Sequence, residues 1–189
     1  MQVHETEFPG LLVLKPKVFQ DERGFFLESY NRELFGQLGI DCEFIQDNHA
    51  YSKDVGVLRG FHFQRPPAAQ AKLVWVTRGA VLDVAVDLRK GSPSFGKWQH
   101  VILSAANFKR MFIPRGFAHA YVTLMPDSEF QYKVDAPYAP GQEDGIAWDD
   151  PDIAMDWGVA LKGREPILSE KDRRLSRLAD FDSPFIYED

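Results

Sequence analysis

The sequence predicts an all-β fold, a sandwich or jelly-roll barrel with a few short helices, on three observations. Apolar and polar residues alternate with period two through most of the chain, the pattern of half-buried strands. Turn residues break that alternation at short intervals, at 21–24 (DERG), 89–96 (RKGSPSFG), 114–116 (PRG) and 125–127 (MPD). The 189 residues are 44% hydrophobic and 13% aromatic, so one domain spanning 1–189 can bury roughly 70% of its unfolded surface.

In chain order, strands are expected at 11–18, 25–30, 44–51, 57–64, 72–78, 80–87, 98–103, 110–113, 118–123 and 128–134. Ten short strands at even spacing suit two packed sheets or a closed roll. Asn31 is placed to cap a helix over 32–38, with Gly39 ending it, and Ser169 to cap a second over 170–179. The stretch 137–166 is rich in Asp, Gly, Pro and Trp and reads as ordered loop. There is no internal repeat, low-complexity segment or linker.

The net charge is −6 and no Lys/Arg run exceeds two residues, so nucleic-acid binding through a basic face is not expected. A lone cysteine, Cys42, rules out an internal disulfide framework and fits a reducing compartment. The first residues lack the basic and apolar regions of a signal peptide, and no apolar run approaches the ~20 residues of a membrane span. The expectation is a soluble cytoplasmic protein with no membrane partner.

Chemistry concentrates in VLRGFHFQRPPAAQAKLVWVTR, residues 57–78. A regular strand over 57–64 puts Leu58, Gly60, His62 and Gln64 on one face, and Val57, Arg59, Phe61 and Phe63 on the other. His62 is then a candidate base, and Lys72, opening the next strand, a candidate stabiliser of negative charge. The plainer alternative is a core histidine hydrogen-bonded to backbone. His119 lies in IPRGFAHAY, whose PxGxxH order resembles the second cupin motif. The first cupin motif wants two histidines in HxH, and His62-Phe63-Gln64 supplies one, so no bound metal is expected. Tyr132 in EFQYKV is either an aromatic core residue or a proton donor. Asp172, three residues after Ser169, is either a helix-capping acid or a partner for His62. Arg23 and Glu28 flank a turn glycine in DERGFFLESYN, where strand charges are ordinarily just solvated, and Arg59 either reaches a ligand through a bulge in its strand or is a structural cation. No dinucleotide, P-loop or zinc motif is present.

The strings FQDERGFFLESYN, FIQDNHAYS, GVLRGFHFQ, AKLVWVTRGAVLDVAVDLRKGSPSFGKW, IPRGFAHAY, EFQYK, GIAWDDPDI and ILSEKD follow one another in this order. Together they resemble the dTDP-4-dehydrorhamnose 3,5-epimerase family over nearly the whole chain. The resemblance implies a cupin-type jelly roll, a homodimer, no metal and no organic cofactor. It implies epimerisation of dTDP-4-dehydro-6-deoxy-D-glucose at C3 and C5, giving dTDP-4-dehydro-L-rhamnose. By motif, His62 would be the base, Tyr132 the acid, Asp172 the residue orienting His62, and Lys72 the neighbour of the C4 oxygen. Gln46, Asp47, Asn48, Arg59, His119, Glu143 and Lys171 would bind the sugar nucleotide. Arg23 and Glu28, within segment 21–30, would reach the partner subunit's site.

That chemistry suits the residues. C3 and C5 both flank the C4 ketone, so loss of either proton gives an enolate that an ammonium can stabilise. A neutral imidazole is available near pH 7. The chain reads RGFH, QAK and FAHAY where the family more often reads RGLH, QGK and FAHGF. Phe61, Ala71, Ala120 and Tyr121 are therefore expected to add bulk near the site, which leaves an epimerase acting only at C5 or only at C3 as the alternative.

Overall fold

The computed structural model describes residues 1–188. Its strands are β1 (Gln2–Glu5), β2 (Leu12–Lys15), β3 (Val18–Asp21), β4 (Gly24–Leu27), β5 (Gln46–Ser52), β6 (Leu58–Gln64), β7 (Lys72–Arg78), β8 (Ala80–Asp87), β9 (Trp98–Ser104), β10 (Arg110–Ile113), β11 (Phe117–Thr123), β12 (Ser128–Val134) and β13 (Glu143–Gly145). They form a six-stranded sheet in the order β1-β2-β10-β7-β12-β5, a five-stranded sheet β13-β6-β11-β8-β9 and a separate β3-β4 hairpin. Pairings between these strands are antiparallel. This is the expected all-β architecture.

Alternation sorts the core into layers. Between the sheets lie Val74, Val76, Val81, Ala85, Met111, Phe117 and Phe130. The outer face of the five-stranded sheet, with Leu82, Val84 and Val86, is covered by Ile153, Trp157, Leu161 and Phe185 from the C-terminal third. β8 is consequently buried on both faces along its whole length, which is why AVLDVAVD is so apolar. The outer face of the six-stranded sheet, with Leu73 and Trp75, is covered by Phe35 and Ile40.

Helix α1 (Arg32–Gln37) begins where Asn31 suggested, with Asn31 Oδ1 accepting from the Leu34 amide at 3.1 Å. The expected strand 11–18 is two strands, because Pro16 between β2 and β3 has no amide proton to give a ladder. The helix expected over 170–179 is absent. In its place are 3-10 turns at Asp172–Arg174 and Leu178–Asp180. Between them Ser176 pairs with Ile146, and at the start of the second turn the Leu178 amide donates to Asp150. A helix this short gains little on its own, so these tertiary bonds prevail. The loop 137–166 also contains β13 and a four-residue helix, α2 (Gly158–Leu161).

One irregularity decides the site. Along β6 and β11, His62 pairs with His119 but Arg59 pairs with Tyr121, so three steps on β6 match two on β11. This bulge changes the phase of β6. Leu58 joins Phe61 and Phe63 in the outer core, while Arg59 and His62 line the same inner cavity. The strict alternation expected from sequence, with Arg59 on the face away from His62, is corrected here. Gly60 occupies the bulge at φ +119°, and a Cβ there would lie 2.4 Å from the His119 carbonyl oxygen. No larger residue fits without moving backbone.

Candidate active site

Between the sheets opens a cavity of about 400 Å³ whose walls include Arg59, His62, Lys72, His119, Tyr132 and Asp172. A larger groove, about 1040 Å³, lies beside Cys42 and Phe112, but no histidine, lysine or tyrosine lines it. The chemistry gathers in the smaller space.

His62, on the five-stranded wall, binds Asp172 through Nε2, 2.5 Å from Oδ1. The second carboxylate oxygen accepts from Ser169 Oγ at 2.7 Å, and Ser169 Oγ accepts from the Asp172 amide at 3.1 Å. Of the two roles its position allowed, Asp172 reaches His62; it caps no helix, because only a 3-10 turn forms there and its second oxygen takes the Ser169 hydroxyl. Burial tends to raise its pKa, but the His62 and Ser169 hydrogen bonds outweigh that and hold the carboxyl below its usual range. An ionised Asp172 accepts the Nε2 proton and leaves the lone pair of neutral His62 on Nδ1.

Tyr132 stands on the other wall, on β12, beside Val74 of β7. Burial, then the charge of Glu143, pushes its phenol pKa up, against a smaller opposing pull from Arg59. The phenol keeps its proton at neutral pH. Lys72 is recessed at the start of β7, its Nζ 3.5 Å from the His62 carbonyl oxygen. Burial lowers its pKa to about 8, with Asp83 and Glu143 pulling the other way. Near pH 7 it is still mostly an ammonium.

His119 is buried and donates or accepts through Nε2 with both oxygens of Asp83, at 3.1 and 3.0 Å. Burial raises the Asp83 pKa and lowers that of His119. Asp83 is a member of this cluster that the motifs did not reveal. Its signal was there: a carboxylate in the middle of a strand whose other polar residue, Asp87, stands at its end. Among the described residues no three His, Cys, Asp or Glu side chains cluster as a metal site would need.

The remaining candidates surround the cavity or lie apart from it. Glu143, on β13 opposite Gln64, accepts from Tyr138 Oη at 2.7 Å and pairs with Lys171 at 2.5 Å. Gln46 and Asn48 share a face of β5 and bond to each other at 2.8 Å; Ala50, next on that face, lines the cavity. Asp47 points the other way, toward Lys133 at 2.7 Å. In this single chain it has no access to the cavity, because adjacent strand residues face opposite sides. Arg23 pairs with Asp21 at the exposed tip of the hairpin, and Glu28 accepts from Asn31 at 3.2 Å. Neither lines the cavity of its own chain. Of the four residues expected to crowd the site, only Tyr121 lines it. Phe61 and Ala120 belong to the outer core and Ala71 to the opposite outer layer.

A family model described as dTDP-4-dehydrorhamnose 3,5-epimerase matches residues 5–180. The chain belongs to the dTDP-4-dehydrorhamnose 3,5-epimerase family. The epimerase of that name from Shigella flexneri is 49% identical over 183 residues, covering 96% of this chain and 98% of the relative. The crystal structure of the Legionella pneumophila dTDP-6-deoxy-D-glucose-3,5-epimerase, in complex with dTDP-4-keto-L-rhamnose, aligns with a TM-score of 0.93. It shares 41% identity and covers 100% of this chain and 99% of that one. A 3′-monoepimerase from Streptomyces bikiniensis in complex with dTDP-quinovose is also similar, with a TM-score of 0.86, 34% identity, and coverage of 93% and 87%. Membership makes the chain an isomerase with a jelly-roll fold. Among its described residues no helix is long and apolar enough to cross a membrane.

Proposed function

We propose that the cavity epimerises dTDP-4-dehydro-6-deoxy-D-glucose at C3 and C5, giving dTDP-4-dehydro-L-rhamnose. One arrangement carries the reading: a carboxylate-held imidazole on one wall, a protonated phenol on the other, and an ammonium recessed beside them. His62 Nδ1 takes the proton from C3 or C5. The C–H electron pair becomes the C=C bond of the enolate, and the ketone π electrons move to O4. Lys72 donates to that oxygen as its charge develops. Tyr132 then gives its proton to the same carbon from the opposite side, O4 returns to a ketone, and the configuration is inverted. The imidazolium and phenolate left behind return to neutral by proton exchange with water. A cycle at each carbon completes the reaction, and none of its steps moves electrons to or from an acceptor.

Arg59, His119, Gln46, Asn48, Glu143 and Lys171 are assigned to the sugar nucleotide. The Streptomyces bikiniensis likeness keeps a single-carbon epimerase as the second reading. The lone cysteine fits a reducing, cytoplasmic setting. We also assign the β3-β4 hairpin to a homodimer, with Arg23 and Glu28 serving the partner's cavity. It carries Phe19, Phe25 and Phe26 at 52%, 61% and 70% exposure, an apolar patch that a second copy would cover.

Turnover in deuterated water tests the reaction. Wild type should place deuterium at both C3 and C5 of the product. His62→Ala should lose exchange at both carbons by a factor of ~10²–10⁴. Tyr132→Phe should still form the enolate, so its exchange should outpace its epimerisation. Exchange at the wild-type rate in His62→Ala would place the base elsewhere; deuterium at one carbon alone would establish the single-carbon reading.

A further inference from the structure

The β3-β4 hairpin stands apart from both sheets, and its root is held by an arginine that the reaction does not use. Arg110 opens β10 in the interior of the six-stranded sheet, opposite Leu14 and Trp75. It is 3% exposed and its guanidinium lies 4.7 Å from the Trp75 ring centroid. No carboxylate pairs with it among the described residues, and burial draws its pKa down to about 10. A buried cation without a counter-charge is unfavourable, so the contacts it does keep are informative. Nη1 donates to the Ser29 carbonyl oxygen at 2.6 Å and approaches Ser29 Oγ at 3.3 Å. Ser29 directly follows Glu28 at the exit of the hairpin. Near the other end of β4, the Phe25 ring packs edge-on against Phe108 at 4.9 Å. Both ends of β4 are thus fastened to one short stretch, residues 108–110.

We propose that Arg110 is a positioning residue for the contact between subunits: its bond to the Ser29 carbonyl fixes the hairpin in its docking arrangement before a second copy of this chain arrives. The inference rests on the reading of the hairpin as a dimer contact given above. A segment already ordered in the free chain does not lose that freedom again on association. Arg110 is itself buried and presents nothing to the partner, so it acts on the dimer only through the hairpin's order and through the placement of Glu28.

Arg110→Met keeps an unbranched stem over Trp75 and removes the cation and its donors. Replacing an uncompensated buried charge with an apolar side chain is often tolerated. Sedimentation across a concentration series should show the dimer dissociation constant rising about tenfold or more, the loss expected for one charge-assisted hydrogen bond. Amide exchange in dilute protein should speed up over residues 18–30 and stay unchanged in β11. Arg110→Lys keeps a cation that can reach the carbonyl with one donor, and should fall between the two. If Arg110→Met dimerises as tightly as wild type, or if faster exchange spreads through β7 and β10, the proposal is overturned. Should the methionine variant not fold, an unchanged constant in Arg110→Lys overturns it equally. A wild type that stays monomeric at high concentration defeats the dimer reading first, on unmutated protein, so the two failures are distinguishable.

Discussion

Two histidines face each other across one pair of strands, and each holds a carboxylate. His62 on β6 pairs in register with His119 on β11. His62 keeps 27% of its side chain exposed and meets its aspartate through one oxygen. His119 is 8% exposed and meets both oxygens of an aspartate that is wholly buried. The carboxylates also come from different places. Asp172 sits in a 3-10 turn of the C-terminal segment, while Asp83 sits inside the most buried strand of the fold. A base must face its substrate and exchange protons with solvent, and the first pair is open enough for that. The second is more enclosed, with only the His119 ring at the cavity wall, and its aspartate acts on Lys72, where it opposes the loss of the ammonium. The same two residue types therefore serve as a reagent in one place and as a fixed electrostatic support in the other.

The sharpest break in this comparison is Asp83→Ala. Removing the carboxyl leaves the buried His119 ring without its hydrogen-bond partner, and an unsatisfied buried polar group typically costs ~1–3 kcal/mol. Urea unfolding of Asp83→Ala should show a loss of that size, together with a further downward shift in the Lys72 titration. An Asp83→Ala protein as stable as wild type would mean that the His119 pair is not the support described. Asp172→Asn is the counterpart. It removes the charge that holds His62 while Ser169 still caps the turn. Losing a hydrogen bond to a charged group is worth ~1.5–3 kcal/mol, or roughly 10–150-fold in turnover, with little change in the unfolding midpoint. If Asp172→Asn loses stability but keeps its rate, Asp172 serves only the turn.

Much of this was legible in local pattern. Alternation marked the strands, Asn31 marked the start of α1, and His62, Lys72 and Tyr132 each stood out on a readable strand. What was not legible depends on partners distant in sequence. The bulge at Gly60 lies against the His119-Ala120 backbone, where only glycine fits, and it moves Arg59 to the cavity side. β13 is three residues long and exists because it pairs with β6. Residues 170–179 have helical composition but are drawn out by bonds to 146 and 150. The bulk assigned to Phe61, Ala71 and Ala120 failed for the same reason: nearness in a motif did not say which face of the strand each residue takes.

Lys72 offers a smaller and opposed pair of effects. Its ammonium supports the enolate, so kcat/KM should fall as pH rises through about 8, approaching tenfold per unit where the neutral amine dominates. Stability should move the other way. The folded pKa lies below the ordinary 10.5, so the folded state holds this proton less tightly than the unfolded chain. The charged lysine destabilises the fold below about pH 8, and that cost is relieved as pH rises from about 8 to 10.5. The difference between wild type and Lys72→Met isolates this contribution from other titrating groups. Activity and stability falling together above pH 8 would remove Lys72 from its assigned role.

The smallest expected effect is at Ser169, and it tests how the open pair is held. Ser169 Oγ accepts from the Asp172 amide and donates to Asp172 Oδ2, the oxygen that His62 does not use. Ser169→Ala removes both bonds without touching either partner of the catalytic pair. Loss of such a cap costs ~1 kcal/mol, and the carboxylate, still bonded to His62, gains freedom to rotate. The rate should therefore fall by less than in Asp172→Asn, because charge and hydrogen bond to the imidazole both survive. The acid side of the pH–rate profile discriminates further. Without the Ser169 donor, Asp172 loses one of the bonds that hold its pKa down, so protonation should begin at higher pH and the activity loss on acidification should start earlier. A profile that superimposes on wild type would mean that His62 alone fixes the carboxylate, and that the serine serves the turn and nothing else.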